Sequence, residues 1–482
     1  MSRQVRRLAV VLGILCGALL INLTWIQVLH ADVYRSRSGN TRLILEEYDR
    51  ARGPILVGRA QVARSIPTSD SLKYIRAYDP GAAYASVTGF YSLVYGATGL
   101  ERTENDVLAG SDPRFLVDRV QQLFAGTQPR GGGIVTTLNA AAQEAAWNAL
   151  AGRKGAVVAI NPSTGAIVAL VSSPSFDPNV LSSHSPDAIR AAYSVLESNP
   201  DNPLLNRPLA VTYPPGSTFK LVTAAAALES GRFTPTTVIP GPAEYQLPNS
   251  TKKLRNWSGQ PCGPGGKVTL EEALAVSCNT AFAWLGNELG AEALRAQAEK
   301  FGFNSSFQVP MNAATSRFPL NPDAAQTAQS AIGQFDVRAT ALQMAMVGAA
   351  IANGGITMNP YLVDQILAPD LSVLKQTQPS QFRQAMSAQH AADEIAMMVN
   401  VVSNGTGSNA QIVGVSVGGK TGTAQTGNAT RPHAWFVGVA PAEAPQIAVA
   451  VVLENGGGEP EISGNKLAAP IARAVMEAVL GR

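Results

Sequence analysis

A serine and a lysine lie three residues apart near the middle of the chain, in the stretch VTYPPGSTFKLVTAAAALESG (211–231). A serine hydroxyl attacks a carbonyl group only when a neighbouring group takes its proton, and residues three apart share one face of a helix. Lys220 can therefore act as the base for Ser217 if its amine is uncharged. The apolar residues that follow predict burial, which lowers the pKa of a lysine. The alternative is a serine N-cap beside a lysine whose amine reaches solvent.

Serine and lysine recur at this spacing elsewhere, so the spacing alone is weak evidence. The other pairs are Ser250–Lys253, Ser372–Lys375 and Ser463–Lys466. Only Ser217 follows a YPPG turn and precedes a long apolar helix. At a helix start the backbone N–H groups face outward and can stabilise a developing oxyanion. The surroundings of Ser217 therefore favour a nucleophile.

Two further motifs lie downstream of this pair. The tripeptide S-C-N occupies 277–279, between two predicted helical halves in TLEEALAVSCNTAFAWLGNELG. Thr269 and Glu272 predict a capping box at the start of the first half. The tripeptide K-T-G occupies 420–422 on a glycine-flanked strand, VGGKTGTAQ, and occurs once in the chain.

In this order, S-T-F-K, S-C-N and K-T-G resemble the three motifs of the penicillin-binding proteins and serine β-lactamases. The resemblance is strongest over residues 135–482. It implies that Lys420 stays charged and helps to lower the pKa of Lys220. It also implies a set of roles in an acyl-enzyme reaction: Ser217 as nucleophile, Lys220 as its base, Ser277 as proton relay to the leaving amine, Asn279 as holder of the substrate backbone, Lys420 and Thr421 as ligands of the terminal carboxylate, Gly422 as the place where the peptide lies against the strand, and the backbone N–H groups of Ser217 and Thr423 as the oxyanion hole.

The upstream part resembles the N-terminal module of the class B, monofunctional penicillin-binding proteins, in RARGPILVG (50–58), in the stretch 78–92 and in GLE (99–101). We interpret this module as a pedestal that lifts the active site from the membrane and binds partners. Arg52, Gly53 and the GLE turn can instead be purely structural, since glycine and arginine in such turns mostly serve backbone geometry. The predicted division is a cytoplasmic tail 1–7, an anchor 8–29, the pedestal 33–130, the linker TQPRGGG (127–133) and a transpeptidase domain 135–482.

The resemblance implies a peptidoglycan D,D-transpeptidase that takes the D-Ala-D-Ala end of a stem peptide in cell-wall growth or division and is acylated by β-lactams. In the E-x-x-L-N loop with which class A β-lactamases activate water, Arg317 stands at the glutamate position. A glycan-polymerising domain needs about 200 residues, and only about 100 separate the anchor from the linker. A D,D-carboxypeptidase and a β-lactam-binding, non-catalytic scaffold of the division machinery are the alternatives.

The apolar run from Leu8 to Leu29 is long enough to cross a bilayer. Arg3, Arg6 and Arg7 precede it, which predicts a cytoplasmic N-terminus and an extracytoplasmic catalytic domain. A cleaved signal peptide and a buried soluble helix are the alternatives. The run exceeds the usual apolar region of a signal peptide, which favours an uncleaved, single-pass anchor.

Two cysteines lie in the part of the chain that would be exported, and a third, Cys16, lies in the anchor. Cys262 and Cys278 are predicted to form a disulfide, worth roughly 3 kcal/mol for a loop of about 15 residues. Two free thiols are the alternative. A second departure from the family pattern is Gln334–Phe335, where a glycine commonly follows the glutamine.

The predicted fold class is α+β. Strand patterns at 155–160, 166–172, 418–425, 433–441 and 447–455 flank a long helical block and predict a five-stranded antiparallel sheet covered by helices, with an all-helical subdomain. The last predicted element is a helix whose apolar residues recur at helical spacing. The stretch 364–384 is predicted to be a peripheral insertion or loop.

Composition excludes several other functions. The formal net charge is +3, of which the three arginines before the anchor supply three, so no basic surface predicts nucleic-acid binding. The histidines show neither a Ser-His-Asp pattern nor metal-ligand spacing; they are His30, His184, His390 and His433. No metal or cofactor is expected. The expected partners are stem peptides, β-lactams, the membrane and proteins of division or elongation.

Overall fold

The computed structural model describes residues 3–26, 47–115, 124, 130–426, 431–459 and 461–482. Its first element is an isolated helix, α1 (Arg3–Thr24), of 22 residues, long and apolar enough to cross a membrane. The helix begins five residues before the predicted anchor and includes its arginines. None of its residues is buried against protein. Residues 27–29 of the predicted anchor and 33–46 of the predicted pedestal lie outside the described residues.

The remaining elements alternate between strands and helices. The strands are β1 Ile55–Val57, β2 Ala60–Pro67, β3 Tyr74–Tyr78, β4 Tyr91–Ser92, β5 Gly96–Ala97, β6 Gly133–Thr136, β7 Gly155–Ile160, β8 Ile167–Ser173, β9 Val238–Pro240, β10 Glu244–Gln246, β11 Lys253–Arg255, β12 Lys267–Thr269, β13 Ile356–Met358, β14 Val363–Leu367, β15 Val373–Gln376, β16 Gln381–Gln384, β17 Gly418–Ala424, β18 His433–Ala440 and β19 Ile447–Leu453. The helices after α1 are α2 Gly81–Thr88, α3 Gly99–Thr103, α4 Asn105–Leu108, α5 Ala140–Leu150, α6 Pro186–Ser198, α7 Arg207–Ala210, α8 Lys220–Glu229, α9 Leu270–Ala275, α10 Asn279–Leu289, α11 Ala291–Lys300, α12 Ala324–Ser330, α13 Ala341–Ala352, α14 Ala388–Ser403 and α15 Ala469–Leu480.

The five predicted strands form one antiparallel sheet in the order β17-β18-β19-β7-β8, as expected. Successive side chains of a strand point to opposite faces, so Val157 and Val449 join the core beneath α5 and α15, while Val158 and Ala450 join the larger core on the other face. Helices cover both faces, which explains why these strands are apolar throughout. β17, with the K-T-G motif, lies at an open edge of the sheet.

A second sheet joins the pedestal to the rest of the chain, in the order β15-β14-β6-β1-β2-β3. Ile134 of β6 pairs with Ile55 of the pedestal on one side and with Ile366 of β14 on the other. The prediction that 364–384 is a loop was therefore wrong: the stretch contains β15, β16 and most of β14. It is peripheral, as the other part of that prediction stated, because β15 is an exposed strand at the edge of the sheet. Its strands were not recognised because most of their residues are polar or exposed.

The end of the predicted linker is packed rather than free. Gly53 approaches Gly132 so closely that a Cβ on Gly53 would lie 1.7 Å from the carbonyl oxygen of Gly132. The N–H of Gly53 donates to Leu108 O at 2.8 Å, and that of Gly131 donates to Ala51 O at 3.0 Å. The described part of the linker thus packs between the pedestal and the start of β6. Residues 127–129 lie outside the described residues, and the predicted domain bounds stay predictions.

A buried charge cluster holds the pedestal together. Glu101 accepts hydrogen bonds from Arg52 Nε at 2.5 Å, from Arg76 Nε at 2.6 Å and from the Tyr78 hydroxyl at 3.2 Å. Burial would raise the pKa of Glu101, but the guanidinium groups of Arg76 and Arg52 outweigh it and hold that pKa below its usual value. Arg52 and the GLE turn therefore have a structural role, which was the alternative interpretation.

Candidate active site

Ser217 lies in a short 3₁₀ turn, Gly216–Phe219, that leads into α8. Gly216 adopts a φ of +54°, which the Pro-Pro-Gly sequence accommodates because glycine has no Cβ. Its N–H donates to Gly333 O at 3.0 Å. The residue before the turn is Pro215, and Ser217 makes no capping hydrogen bond. The N-cap alternative is therefore not supported by the structure, which leaves Ser217 half-buried at the helix start.

Lys220 is fully buried at the first position of α8. Its Nζ donates to Ser277 O at 2.7 Å and to Asn279 Oδ1 at 2.8 Å, and lies 3.2 Å from Ser277 Oγ. Burial, and then the charge of Lys420, lower the pKa of Lys220 well below its usual value, as the base role requires. Within the described residues no hydrogen bond joins Lys220 Nζ to Ser217 Oγ. Such bonds often form only with substrate in place.

Ser277 connects the two lysines of the site. Its Oγ accepts a hydrogen bond from Lys420 Nζ at 2.9 Å, and the same amine donates to Thr421 O at 3.0 Å. Ser277 lies between α9 and α10 with a φ of +57°, a region sparsely populated by residues other than glycine. The Thr269–Glu272 capping box at the start of α9 is present as predicted. The hydroxyl of Ser277 therefore stands between two amines that are 200 residues apart in sequence.

Lys420 differs from the expectation that it stays fully charged. The side chain is completely buried, and burial lowers its pKa to about 7. No carboxylate lies within ion-pair distance of Lys220 or Lys420 in the described part of the chain. Burial therefore makes Lys420 lose its charge at a lower pH than an exposed lysine does. A substrate carboxylate would supply the missing opposite charge.

Gly422 and Gly216 let β17 pack against the Ser217 turn. A Cβ on Gly422 would lie 3.0 Å from Thr218 Cγ2 and 3.1 Å from Pro215 O, and one on Gly216 would lie 3.0 Å from the Cβ of Ala424. The resemblance implied that Gly422 makes room for the peptide substrate. The structure shows a different need for glycine there, namely contact between the strand and the turn that carries the nucleophile.

The other K-T-G residues lie at the open edge of β17. The hydroxyl of Thr421 is 2.8 Å from that of Thr406, a residue that the sequence analysis missed because its NGTG surroundings indicate only a turn. Thr423 is half-buried. The contact between Gly216 and Ala424 brings the backbone of β17 beside Ser217, as an oxyanion hole from Ser217 and Thr423 requires.

A disulfide joins Cys262 to Cys278, with 5.9 Å between the Cα atoms. It fastens the loop after β11 to the S-C-N segment. In addition, Asn279 Nδ2 donates to Arg255 O at 3.1 Å, and Thr280 N donates to Asn256 Oδ1 at 3.1 Å. Arg255 and Asn256 could not be recognised from the sequence as part of the site, since neither belongs to a chemical motif.

The second departure from the family pattern also lies near the nucleophile. A Cβ on Gly333 would lie 2.2 Å from Gly216 O, so this glycine packs directly on the Ser217 turn. Two residues later, Phe335 adopts a φ of +59° and is exposed. Left-handed backbone favours glycine, which explains why a glycine is common in this neighbourhood.

The residues at the glutamate position of the E-x-x-L-N loop and at the histidine positions have structural contacts. Arg317, at the glutamate position of the E-x-x-L-N loop, forms an ion pair with Asp336 at 2.5 Å. His184 contacts Asp70, His390 contacts Glu229, and His433 begins β18 and accepts from Asn455 N. Burial lowers the pKa of His433 to about 4. Among the described residues no cluster of His, Cys, Asp or Glu could hold a metal ion.

Comparisons with known proteins identify both modules. Residues 155–477 match the penicillin-binding protein transpeptidase domain, and 52–134 match the penicillin-binding protein A dimerisation domain. The peptidoglycan D,D-transpeptidase PbpA of Mycolicibacterium smegmatis is 45% identical over 100% of this chain and 99% of its own length. PbpA of Mycobacterium tuberculosis is 46% identical with the same coverage.

Solved structures of penicillin-binding protein A from M. tuberculosis have the same fold. The ceftriaxone acyl-enzyme complex gives a TM-score of 0.88 at 46% identity, covering 90% of this chain and 100% of that one. The penicillin G acyl-enzyme complex gives 0.86 at 46% identity, covering 89% and 100%.

Proposed function

This chain belongs to the class B penicillin-binding proteins, is similar to PbpA over its full length and is a peptidoglycan D,D-transpeptidase, and we propose that its acyl-enzyme forms on Ser217. The observation that carries this assignment is the meeting of Lys220, Asn279 and Lys420 around Ser277, directly beside the turn that presents Ser217. β-Lactams acylate the same serine.

The geometry supports a reaction in two halves. Uncharged Lys220 takes the proton of Ser217, whose Oγ forms a bond to the carbonyl carbon of the penultimate D-Ala. Backbone N–H groups of Ser217 and Thr423 stabilise the oxyanion. As the C–N bond breaks, the proton returns through Ser277 to the amine of the departing D-Ala. In the second half, an amine of a neighbouring stem attacks the ester, and Ser217 regains its proton.

Charge favours the binding of a D-Ala carboxylate at Lys420. The amine is buried without an opposite charge among the described residues, so a bound carboxylate would pair with it and raise its pKa again. Thr421 adds a hydroxyl at the same edge. Water is not activated by a glutamate, since Arg317 occupies that position. A β-lactam ester on Ser217 is therefore expected to be long-lived.

Intact-mass analysis of the full-length protein in detergent tests the nucleophile. We expect one penicillin adduct on the wild type and none on Ser217→Ala. Ser372→Ala is the matched control, because Ser372 also lies three residues before a lysine but is exposed. An adduct that persists on Ser217→Ala would assign the nucleophile elsewhere. Cross-linked dimer in the presence of an amine acceptor distinguishes transpeptidation from the release of D-Ala alone, which a carboxypeptidase would give.

We also propose that the N-terminus is cytoplasmic and the catalytic domain extracytoplasmic. Arg3, Arg6 and Arg7 precede the apolar part of α1, and a disulfide is typical of oxidising compartments. Protease added to intact spheroplasts should digest the catalytic domain. A catalytic domain that is protected until the cells are lysed would contradict this orientation.

The pedestal is proposed as a surface for protein partners, either a second copy of the chain or proteins of division or elongation. The support is the match of 52–134 to a dimerisation domain. Cross-linking in cells followed by mass spectrometry tests it. Cross-links that arise only from the transpeptidase domain would contradict this role.

A further inference from the structure

One loop beside the active site is fastened to the catalytic segment at several points. It follows the β10–β11 hairpin and runs to Cys262, which is bonded to Cys278. The carbonyl of Arg255 accepts from the side chain of Asn279 at 3.1 Å. Asn256 is buried and accepts from Thr280 N. The positions of the residues on this loop are therefore determined by the same backbone that positions Ser277 and Asn279.

The side chains on this loop face solvent. Trp257 is 87% exposed, although a tryptophan usually buries most of its ring. The side chain of Arg255 is 70% exposed. Trp257 therefore presents an exposed aromatic ring on a loop that is held by a disulfide and a buried asparagine.

The charge of this surface is positive. Glu244 accepts from Lys253 Nζ at 2.8 Å and from Arg255 Nη2 at 2.6 Å, so two cations share one carboxylate. Lys252 adds a further positive charge nearby. We call Lys252, Lys253, Arg255 and Trp257 the cationic rim. It retains an excess of positive charge that Glu244 does not neutralise.

We propose that the cationic rim binds a free carboxylate of the donor stem peptide, upstream of its D-Ala-D-Ala end, with Arg255 as the specificity-determining residue. The inference rests on the proposed function. In the proposed function, Lys420 binds the terminal carboxylate of the peptide. The carboxylate that the cationic rim binds is therefore a second one, on a residue upstream. The resemblance to the family implies that Asn279 holds the substrate backbone, and its side-chain amide donates to the backbone carbonyl of Arg255. Trp257 provides an apolar wall against which the peptide packs.

Competition against a fluorescent penicillin tests the rim on the full-length protein in detergent. Two peptides ending in D-Ala-D-Ala are compared, one with a free side carboxylate upstream and one with the corresponding amide; both are N-acetylated, so neither is an acceptor. We expect the acidic peptide to slow acylation at roughly fivefold lower concentration, and added salt to reduce that preference. For each protein variant, the acylation rate with peptide is divided by the rate of the same variant without peptide.

The variants separate charge from folding. Arg255→Gln should remove the preference for the acidic peptide, while Arg255→Lys should retain part of it. Trp257→Ala should weaken both peptides equally. Arg190→Gln, on α6, is the control: its side chain is 58% exposed and pairs with a neighbouring aspartate in the same way on another surface. The preference should be unchanged in this variant.

Two outcomes would overturn the proposal: equal inhibition by the acidic and amide peptides on the wild type, or a preference that survives in Arg255→Gln. Failure of the proposed function is a different result. If penicillin acylates Ser217 but neither peptide gives a cross-linked product when an amine acceptor is added, the transpeptidase assignment fails, while the competition still reports whether the rim binds a carboxylate.

Discussion

Charged side chains are buried in the pedestal and beneath the Ser217 turn, and their partners differ. In the pedestal, Arg52 and Arg76 bind the two oxygens of Glu101, and Glu47 lies 3.7 Å from Arg52. Beneath the turn, Lys220 and Lys420 are buried with hydroxyl and carbonyl groups as their partners. In the pedestal the opposite charges balance, whereas in the cleft two basic groups are buried together without a carboxylate among the described residues.

A buried ionisable group contributes to stability in the pedestal and to reactivity in the cleft. Balanced charges with good hydrogen bonds order the elements that carry them, and loss of one partner leaves the other uncompensated. Like charges without a carboxylate have displaced pKa values, which is what a base and a carboxylate-binding group need. Changes in the pedestal should therefore alter stability, and changes in the cleft should alter reactivity.

The largest effect is expected from Lys220→Met. Without the base, the second-order rate constant for penicillin acylation should fall by about 10³-fold. The free energy of unfolding should fall by less than in the pedestal variant below, by about 1 to 3 kcal/mol, because two acceptors lose their donor but no ion pair is broken. Stopped-flow acylation and urea unfolding measure the two quantities. Lys375→Met, the lysine of the exposed Ser372 pair, is the control. A variant that acylates normally would remove Lys220 from the mechanism.

Glu101→Gln should lower stability more than Lys220→Met does and leave acylation nearly unchanged. It leaves two buried guanidinium groups without a full counter-charge, so the free energy of unfolding should fall by about 3 to 5 kcal/mol. Acylation of the protein that remains folded should be nearly unchanged. Glu104→Gln, three residues later and only half-buried, is the control. Equal losses in both variants would show that the Glu101 cluster is not special.

The pH dependence of acylation sharpens the role of Lys420. Burial places its pKa at about 7, so the charged fraction falls as pH rises above that value. For a penicillin with a free carboxylate, the rate constant should fall by up to about tenfold per pH unit. The penicillin methyl ester has no carboxylate to bind and should show no such decline. Parallel declines for acid and ester would contradict carboxylate binding at Lys420.

A third buried ionisable side chain should affect the pH dependence of stability. Glu394 on α14 is fully buried, and neither of its oxygens has a hydrogen-bond partner. Burial raises its pKa well above the usual value. The acid is neutral when folded and ionised when unfolded, so its contribution is fully present below about pH 4.5 and is lost as pH rises toward the raised pKa.

Glu394→Gln should therefore remove a pH-dependent loss of stability, of up to about 1.4 kcal/mol per pH unit over that window. Urea unfolding between pH 5 and 8 measures it, with Asp393→Asn on the neighbouring residue as the control. An unchanged slope of stability against pH in Glu394→Gln would assign the slope to other groups.

Much of the catalytic domain could be predicted because its signals are local. The strands β7, β8, β18 and β19 are continuous apolar runs, and the Thr269–Glu272 capping box lies within four residues. The segment 364–384 could not be predicted, since its β14 strand is half polar and becomes a strand by pairing with Ile134. Thr406, Arg255 and Asn256 were missed because their partners lie far away in sequence.

The order of S-T-F-K, S-C-N and K-T-G, the apolar runs of the main sheet and the apolar span near the N-terminus can all be recognised in the sequence alone. The meeting of Lys220 and Lys420 at Ser277, 57 and 143 residues away, and of Arg52 with Glu101 across 49 residues, results from tertiary packing. The types of residues and their spacing in the sequence predict burial and local backbone geometry. Contacts between distant segments depend on how sheets and helices pack. Closing a long loop costs little more free energy than closing a shorter one, so separation in sequence hardly limits which segments meet. Such contacts therefore leave no pattern in the local sequence.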